Sequence, residues 1–256
     1  EMLEAARRNN RLLMIGFVRR FGNDCCLLKD FIDNDQFGEI YYAKTTYLRR
    51  KGFPGGWFGD KARSGGGPLI DIGTHALDLT LWMMQNYDIE SVKGSVFYKL
   101  GHLPEATEGN IFGKWDPETY EVEDSAFGFI TMKNGATIEL EASWALNILE
   151  SREASTTLCG TLAGAEIRSG MSYPKDELIM NRGANGLLLE EHISETAGVA
   201  YFEGATEAPG VLEADQWLRA IETDSEPLVK PEEAFRVTKV LEAIYRSAET
   251  RQEIRF

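Results

Sequence analysis

The sequence has 256 residues, 43% of them hydrophobic, so the chain can bury a sizeable core. Its 27 Lys and Arg residues against 41 Asp and Glu residues give a net charge of −14, which disfavours binding to nucleic-acid phosphates. Three sparse cysteines exclude a disulfide framework, and no apolar run approaches the roughly 18 residues of a membrane span. We therefore expect a protein of a reducing, cytoplasmic compartment that binds neither nucleic acid nor membrane.

The first 17 residues predict two elements of a larger sheet. Residues 1–9 read as a helix, and residues 11–17 form a nearly continuous apolar run, which is typical of a strand buried on both faces. A helix followed directly by such a strand is the closing half of a β-α-β unit. Because one strand cannot make a sheet, we expect the sequence to be the C-terminal part of a longer protein.

The next segment predicts a helix near residues 24–34 and a strand over 39–48. Residues 49–67 then form a loop that is rich in glycine and charge. This loop leads into the helix that carries the most informative side chains of the chain.

Beyond residue 90 the apolar side chains alternate with period two, which predicts a sheet. Asn134-Gly135 is typical of a hairpin turn and joins strands expected at 125–133 and 136–144. The second of these strands has one apolar and one polar face, as in an antiparallel sheet that is solvated on one side. The other expected elements are strands at about 91–100, 154–159, 165–168, 177–181 and 186–190, and closing helices at 211–222 and from Pro231. The fold class is therefore α+β, with a large, mostly antiparallel sheet that helices cover on one face and leave open on the other.

Residues 65–84 predict a mostly buried helix with a polar stripe. Three glycines permit a close backbone approach, Pro68 suits a first helical turn, and nearly every later side chain is apolar. The ionisable exceptions are Asp71, His75 and Asp78, at spacing i, i+4 and i+7, and Trp82 follows at i+11. On an α-helix these four side chains fall within roughly 60° of arc. Such a stripe suits an active site in which a carboxylate tunes the imidazole for proton transfer.

Two other interpretations of the stripe stay open. His75 can be a core histidine whose hydrogen bonds a neighbouring aspartate satisfies, or the three ionisable side chains can bind a metal ion. We favour proton transfer and expect no metal, because two acids share the face of His75 and a flexible glycine-rich loop precedes the helix.

Residues 65–78, Gly-Gly-Gly-Pro-Leu-Ile-Asp-Ile-Gly-Thr-His-Ala-Leu-Asp, closely resemble the GGG-x-x-x-D-x-G-x-H-x-x-D signature of the glucose–fructose oxidoreductase / inositol dehydrogenase (Gfo/Idh/MocA) family. Weaker similarity extends to the family's strand leaving the nucleotide domain, its sheet hairpin and its terminal helix, at residues 15–21, 122–126, 134–144 and 226–248. The resemblance implies an N-terminal Rossmann domain that binds NAD or NADP and a C-terminal α+β domain that binds a sugar, polyol or related hydroxy compound. On that basis we assign residues 1–20 to a remnant of the dinucleotide-binding domain and residues 21–256 to the substrate-binding, catalytic domain.

By resemblance Asp71 and His75 take the family's catalytic positions, and His75 exchanges the hydroxyl proton as hydride moves to or from the nicotinamide. This agrees with elementary chemistry, because oxidising an alcohol needs a base beside the hydroxyl group. The resemblance also implies a homodimer or homotetramer formed through the open sheet face; an open, solvated sheet is the alternative.

Further ligand contacts are expected on both sides of this helix. Gly16 and Arg19 stand at the end of the apolar strand, where ligand crevices open in α/β folds, and we expect both to meet the cofactor and Arg19 also the substrate. Trp57 and Lys61 on the loop, with Asp78 on the helix, are expected to bind substrate, since an aromatic ring and several polar groups suit a polyhydroxylated ligand. A surface arginine and an ordinary charged loop are the plainer alternatives.

The sequence departs from the family pattern in two places. No segment has a strand, G-x-G-x-x-G and then a helix, and the family's E-K-P motif, whose lysine joins the aspartate and histidine, is absent. We therefore expect this chain alone to bind NAD(P) poorly and to be inactive.

The sequence is consistent with three functions. The first is an NAD(P)-dependent dehydrogenase of a sugar or polyol. The second is a hydrolase or lyase that uses NAD transiently to cleave a glycosidic bond, as some relatives do. The third is a non-catalytic module for substrate binding or oligomerisation. The acid and imidazole of the stripe favour the two enzymes, because an interaction module gains nothing from buried titratable groups.

Overall fold

The computed structural model describes residues 1–107, 109–110, 112–169, 177–193 and 208–256. Its strands are β1 (Ile40–Leu48), β2 (Ile89–Phe97), β3 (Ser125–Met132), β4 (Thr137–Ser143), β5 (Arg152–Gly160), β6 (Ala163–Arg168), β7 (Glu177–Ala184), β8 (Leu187–Ile193) and β9 (Ile254–Arg255). In this part of the chain they form a nine-stranded sheet in the order β8-β7-β6-β5-β1-β4-β3-β2-β9.

The α-helices are α1 (Met2–Arg8), α2 (Asn23–Asp33), α3 (Lys61–Ser64), α4 (Thr74–Met84), α5 (Pro209–Thr223) and α6 (Pro231–Thr250). Short 3-10 turns occupy Val18–Phe21, Gly56–Gly59 and Pro104–Thr107, and a π-helical turn, Leu69–Gly73, leads into α4. Within the described residues, no helix combines the length and the apolar character that crossing a bilayer requires.

The sheet is antiparallel except at its centre, where β1 runs parallel to β4. The parallel register ends with Leu48 opposite Ser143. Because the carboxyl ends of neighbouring parallel strands lie side by side, the residues that follow them, Arg49 and Trp144, leave the sheet at the same end of these two strands. The candidate site lies at this end.

The two faces of the sheet differ, as predicted. In β4 Ile138 and Leu140 are buried, whereas Glu139 and Glu141 are partly exposed. On the covered face α6 packs so closely that a Cβ on Gly94 would lie 2.7 Å from the side chain of Ile244. The Asn134-Gly135 turn is also confirmed, with Gly135 at φ +89°. The α+β architecture with one helix-covered face is therefore confirmed.

Of the two elements predicted in the first 17 residues, the helix is present and the strand is not. The predicted helix is present as α1. Residues 11–17 pair with no strand in the described part of the chain, because a ladder needs the backbone groups of a neighbouring strand. Met14 and Ile15 pack partly against the core, and the chain then enters the 3-10 turn Val18–Phe21.

Candidate active site

The helix that carries Asp71 and His75 begins at a carboxylate. Oε2 of Glu123 accepts a hydrogen bond from the backbone N–H of Gly67 (2.9 Å), and Oε1 accepts one from that of Leu69 (3.2 Å). The hydroxyl of Tyr245 donates a third hydrogen bond to Oε1 (2.7 Å). Free N–H groups at a helix start need such acceptors. Glu123 therefore fixes where the helix starts, a role that the sequence does not reveal because its partners are more than 50 residues away.

The π-helical turn Leu69–Gly73 changes the geometry of the predicted stripe. A π turn inserts one extra residue into the helix, and such turns often occur at functional sites. Asp71 lies within this turn, whereas His75 and Asp78 lie on the regular helix that follows. The spacing of an uninterrupted α-helix therefore does not hold between Asp71 and the later side chains.

Asp71 is half-buried and bonded to an indole. Its Oδ2 accepts a hydrogen bond of 2.9 Å from Nε1 of Trp144. Burial raises the pKa of Asp71, while the indole hydrogen bond, the charge of Arg49 and the charge of His75 oppose that rise. No hydrogen bond joins Asp71 to His75 in the described part of the chain, so the aspartate acts on the imidazole through its charge.

His75 is a half-buried imidazole beside an aromatic ring. Its ring meets that of Phe17 edge to face, with centroids 6.0 Å apart. Burial lowers the pKa of His75, Asp71 opposes that change and Arg19 adds to it. The imidazole is therefore neutral at pH 7. Its Nδ1 is buried and has no hydrogen-bond partner among the described residues, which is unusual for a buried polar atom.

A cleft of about 720 Å³ opens beside these side chains. Asp71, Thr74 and His75 line one side, and Gly16 and Phe17 line another. The structure thus brings together Gly16, Asp71 and His75, which the sequence places in two separate segments. A pocket with a few polar groups among apolar side chains is the usual form of a small-molecule site.

Arg19 lies next to this cleft but does not line it. It is buried, its Nη2 donates to the carbonyl oxygen of Ala154 (3.5 Å), and it forms an ion pair with Asp24 (3.7 Å). Its charge still reaches His75, whose pKa it lowers. Arg19 therefore acts on His75 through its charge without lining the cleft.

Asp78 turns away from the cleft. Its two carboxylate oxygens pair with Arg20, at 2.9 Å to Nε and 2.6 Å to Nη2, and its side chain is 1% exposed. A second acid, Glu233 of α6, lies 2.6 Å from Nη1 of Arg20. Burial raises the pKa of Asp78 to about 6 against the opposing hydrogen bonds and charge of Arg20. Asp78 thus takes part in an ion pair that joins α4 to the Val18–Phe21 turn and to α6, and its expected contact with substrate stays a prediction.

Trp57 and Lys61 lie on the loop before the helix, as expected, but outside the residues that line this cleft. Trp57 stacks on Phe58 with centroids 4.4 Å apart, and Phe58 in turn meets the ring of Trp144 at 6.2 Å. Lys61 begins α3, and its backbone N–H donates to Glu121. An aromatic cluster thus connects this loop with Asp71.

Arg49 is a charged residue of the site that sequence analysis missed. It follows β1, pairs with Glu153 (3.2 Å) and lies over the ring of Phe112 (4.4 Å). Glu153 stands in a β-bulge of β5 beside Ala154, a non-glycine residue at φ +50°. Bulges and strained backbone recur next to functional sites, where they redirect side chains. The charge of Arg49 opposes the rise in the pKa of Asp71. In the sequence, only the position of Arg49 at the end of a predicted strand could have indicated this effect.

Among the described residues, no group of three or more His, Cys, Asp or Glu side chains is arranged to hold a metal ion. The separation of Asp78 from Asp71 and His75 explains why the predicted stripe forms no such group.

The sequence of this chain is similar to that of known proteins. A family model of the GFO/IDH/MocA C-terminal domain matches residues 27–166. D-glucoside 3-dehydrogenase of Escherichia coli K12 is 33% identical over 251 residues, which cover 98% of this chain and 66% of that protein. The chain thus spans about two thirds of the length of this relative.

Two solved structures share the fold. Levoglucosan dehydrogenase in complex with NADH and levoglucosan has a TM-score of 0.77 at 18% identity, over 99% of this chain and 68% of that one. An oxidoreductase domain protein from Kribbella flavida has a TM-score of 0.78 at 19% identity, over 98% and 68%. At this level of identity the likeness concerns the fold alone.

Proposed function

Since this chain belongs to the Gfo/Idh/MocA family, we propose that it is the substrate-binding, catalytic part of an NAD(P)-dependent oxidoreductase acting on a sugar, polyol or related hydroxy compound. The observation that carries the proposal is the imidazole of His75, which lies in a cleft beside Asp71 and has a buried nitrogen without a hydrogen-bond partner among the described residues. The similarity to a D-glucoside 3-dehydrogenase supports the carbohydrate class of substrate.

The residues of the cleft fit a nicotinamide. Gly16 presents only backbone, and Ile15, Phe17 and Ile70 give apolar walls that suit a flat ring. These residues would hold the ring next to His75. When it is bound, the nicotinamide accepts or returns the hydride.

The chain's own residues handle the proton. His75 is neutral near pH 7, so it can accept the proton of a substrate hydroxyl, and its burial keeps bulk water from competing. Asp71 does not take this proton; its negative charge stabilises the imidazolium that forms. For the reverse reaction the protonated imidazole returns the proton to the carbonyl oxygen.

The nucleotide is bound mainly by a domain to which residues 1–20 belong. Two features of this segment support the assignment. Residues 11–17 lack a neighbouring strand among the described residues, and Leu13, Ile15 and Phe17 line the cleft. On this assignment, the chain alone has little affinity for NAD(P).

The open sheet face is the surface through which copies of the protein assemble. It leaves Tyr41 at 53% and Phe129 at 49% exposure, beside the charged side chains of Lys44 and Glu139. A mixed apolar and charged face of this kind suits a homodimer or homotetramer. Light scattering of the wild type and of Phe129→Lys tests this: the variant is expected to shift to the monomer, and an unchanged mass would exclude this face.

The decisive experiment uses the protein together with its nucleotide-binding domain. It is mixed with NAD or NADP and a panel of glucosides, free hexoses, levoglucosan and inositol, and absorbance is followed at 340 nm. Net reduction of the cofactor with at least one compound is expected, and His75→Ala is the matched negative control. Release of free sugar without net reduced cofactor would instead identify a hydrolase or lyase, and tight sugar binding without either reaction a non-catalytic module.

A further inference from the structure

Both the backbone and the indole ring of Trp144 are fixed by contacts with neighbouring residues. It directly follows β4, its backbone N–H donates to the carbonyl oxygen of Asp124 (3.0 Å), and its own carbonyl oxygen accepts from Gly52 (2.7 Å). The indole ring is fully buried and meets Phe53 and Phe58 edge to face at 6.4 and 6.2 Å. The ring therefore has one orientation.

That orientation aims the indole N–H at one acceptor. Nε1 donates to Oδ2 of Asp71 at 2.9 Å. An indole can only donate, and its hydrogen bond to an ionised carboxylate is stronger than one to the neutral acid, so it favours the ionised form of Asp71. Asp71 in turn lies in the π turn one helical turn before His75 and has no hydrogen bond to it in the described part of the chain.

We propose that Trp144 is a positioning residue of the active site: its indole N–H holds the carboxylate of Asp71 in place beside His75, and it touches neither substrate nor cofactor. The proposal rests on the proposed function only for its catalytic consequence. The carboxylate acts on His75 through its charge, and that action needs both a fixed position and the ionised form. Burial favours the protonated form of Asp71, and the indole hydrogen bond is the largest effect that opposes it.

The test removes the N–H and keeps the ring. Trp144→Phe is the first variant, and replacement of Trp144 by benzothienylalanine, in which sulfur stands in place of the N–H, preserves the ring size if the first variant folds poorly. Phe53→Leu is the matched control, because Phe53 packs in the same cluster without bonding Asp71. All variants are labelled with carboxyl-¹³C aspartate, and the Asp71 signal is assigned from its loss in Asp71→Asn.

The titration midpoint of Asp71 is expected to move to higher pH in both Trp144 variants and to stay in place in Phe53→Leu. In the protein with its nucleotide-binding domain, kcat at neutral pH is expected to fall about 10-fold with KM nearly unchanged, since a hydrogen bond to a charged group is lost. An unmoved midpoint, or an equal shift in Phe53→Leu, would overturn the proposal. The titration needs neither cofactor nor substrate, so failure of the proposed function would leave its outcome interpretable.

Discussion

The carbonyl oxygen of Glu123 lies where a side chain on Gly67 would have to go. A Cβ on Gly67 would approach that oxygen to 2.1 Å, and the carboxylate of the same Glu123 accepts the N–H of Gly67 at 2.9 Å. The segment that precedes β3 and the start of the helix that carries His75 therefore meet backbone to backbone. This contact ties the position of Asp71 and His75 to the sheet.

The first prediction concerns the stability that Glu123 supplies. Glu123→Ala leaves the N–H groups of Gly67 and Leu69 and the hydroxyl of Tyr245 without their acceptor in a buried place. Because each unsatisfied buried group costs about 1–3 kcal/mol, the free energy of unfolding is expected to fall by about 3 kcal/mol or more. Urea denaturation followed by circular dichroism measures this.

Glu121→Ala is the control for that measurement. Glu121 is exposed and accepts one hydrogen bond, from the N–H of Lys61 at 3.2 Å. We expect its loss to cost less than about 1 kcal/mol. Equal losses in the two variants would contradict the role assigned to Glu123.

The second prediction concerns the proton-transfer residue. His75→Ala is expected to lower turnover by roughly 10²–10⁴, the usual weight of a general base. The measurement is steady-state kinetics on the best substrate of the sugar panel. His102→Ala is the matched control, because His102 is exposed and bonds the carbonyl oxygen of Pro117 away from the cleft. A loss below threefold in His75→Ala would remove this side chain from the mechanism.

The third prediction concerns the pH profile of oxidation. The base must be neutral, and burial lowers the pKa of His75, so kcat/KM is expected to rise with pH, with the midpoint of the rise below the usual histidine pKa of about 6.5. Asp71 raises the pKa of His75 by its charge. In Asp71→Asn the rising limb is therefore expected to move to lower pH, at reduced turnover.

Glu121→Gln removes an exposed negative charge and serves as the control for that shift. We expect its rising limb to coincide with that of the wild type. If the limb of Asp71→Asn stayed at the wild-type position, Asp71 would not be acting on His75 through its charge.

Local patterns predict the elements of this chain, and distant contacts determine the site. The Asn134-Gly135 turn and the alternation in β4 depend on residues that are neighbours in sequence, so both are predicted and both are confirmed. The partners of Asp71 and Gly67 are Trp144 and Glu123, each more than 50 residues away. No spacing rule connects such pairs.

The predicted stripe is kept at Asp71 and His75, which line one cleft, and is lost at Asp78. The π turn that carries Asp71 has no sequence signature as clear as that of a helix cap, so the sequence does not predict it. Asp78 instead meets Arg20, a residue 58 positions earlier, because a buried carboxylate is stable only with a partner.

The last prediction decides whether Asp78 binds substrate or holds the fold. Asp78→Ala leaves the guanidinium of Arg20, which is fully buried, with Glu233 as its remaining carboxylate partner. Breaking a buried ion pair on one side costs about 3–5 kcal/mol, so a large loss of unfolding free energy is expected. Replacing both partners by apolar residues, Arg20→Met with Asp78→Leu, should recover part of that loss, since the uncompensated charge is gone. Urea denaturation of Arg20→Met, Asp78→Leu and the double variant gives the coupling between the two side chains. A substrate ligand would behave in the opposite way, because Asp78→Ala would then raise KM and leave the unfolding free energy unchanged.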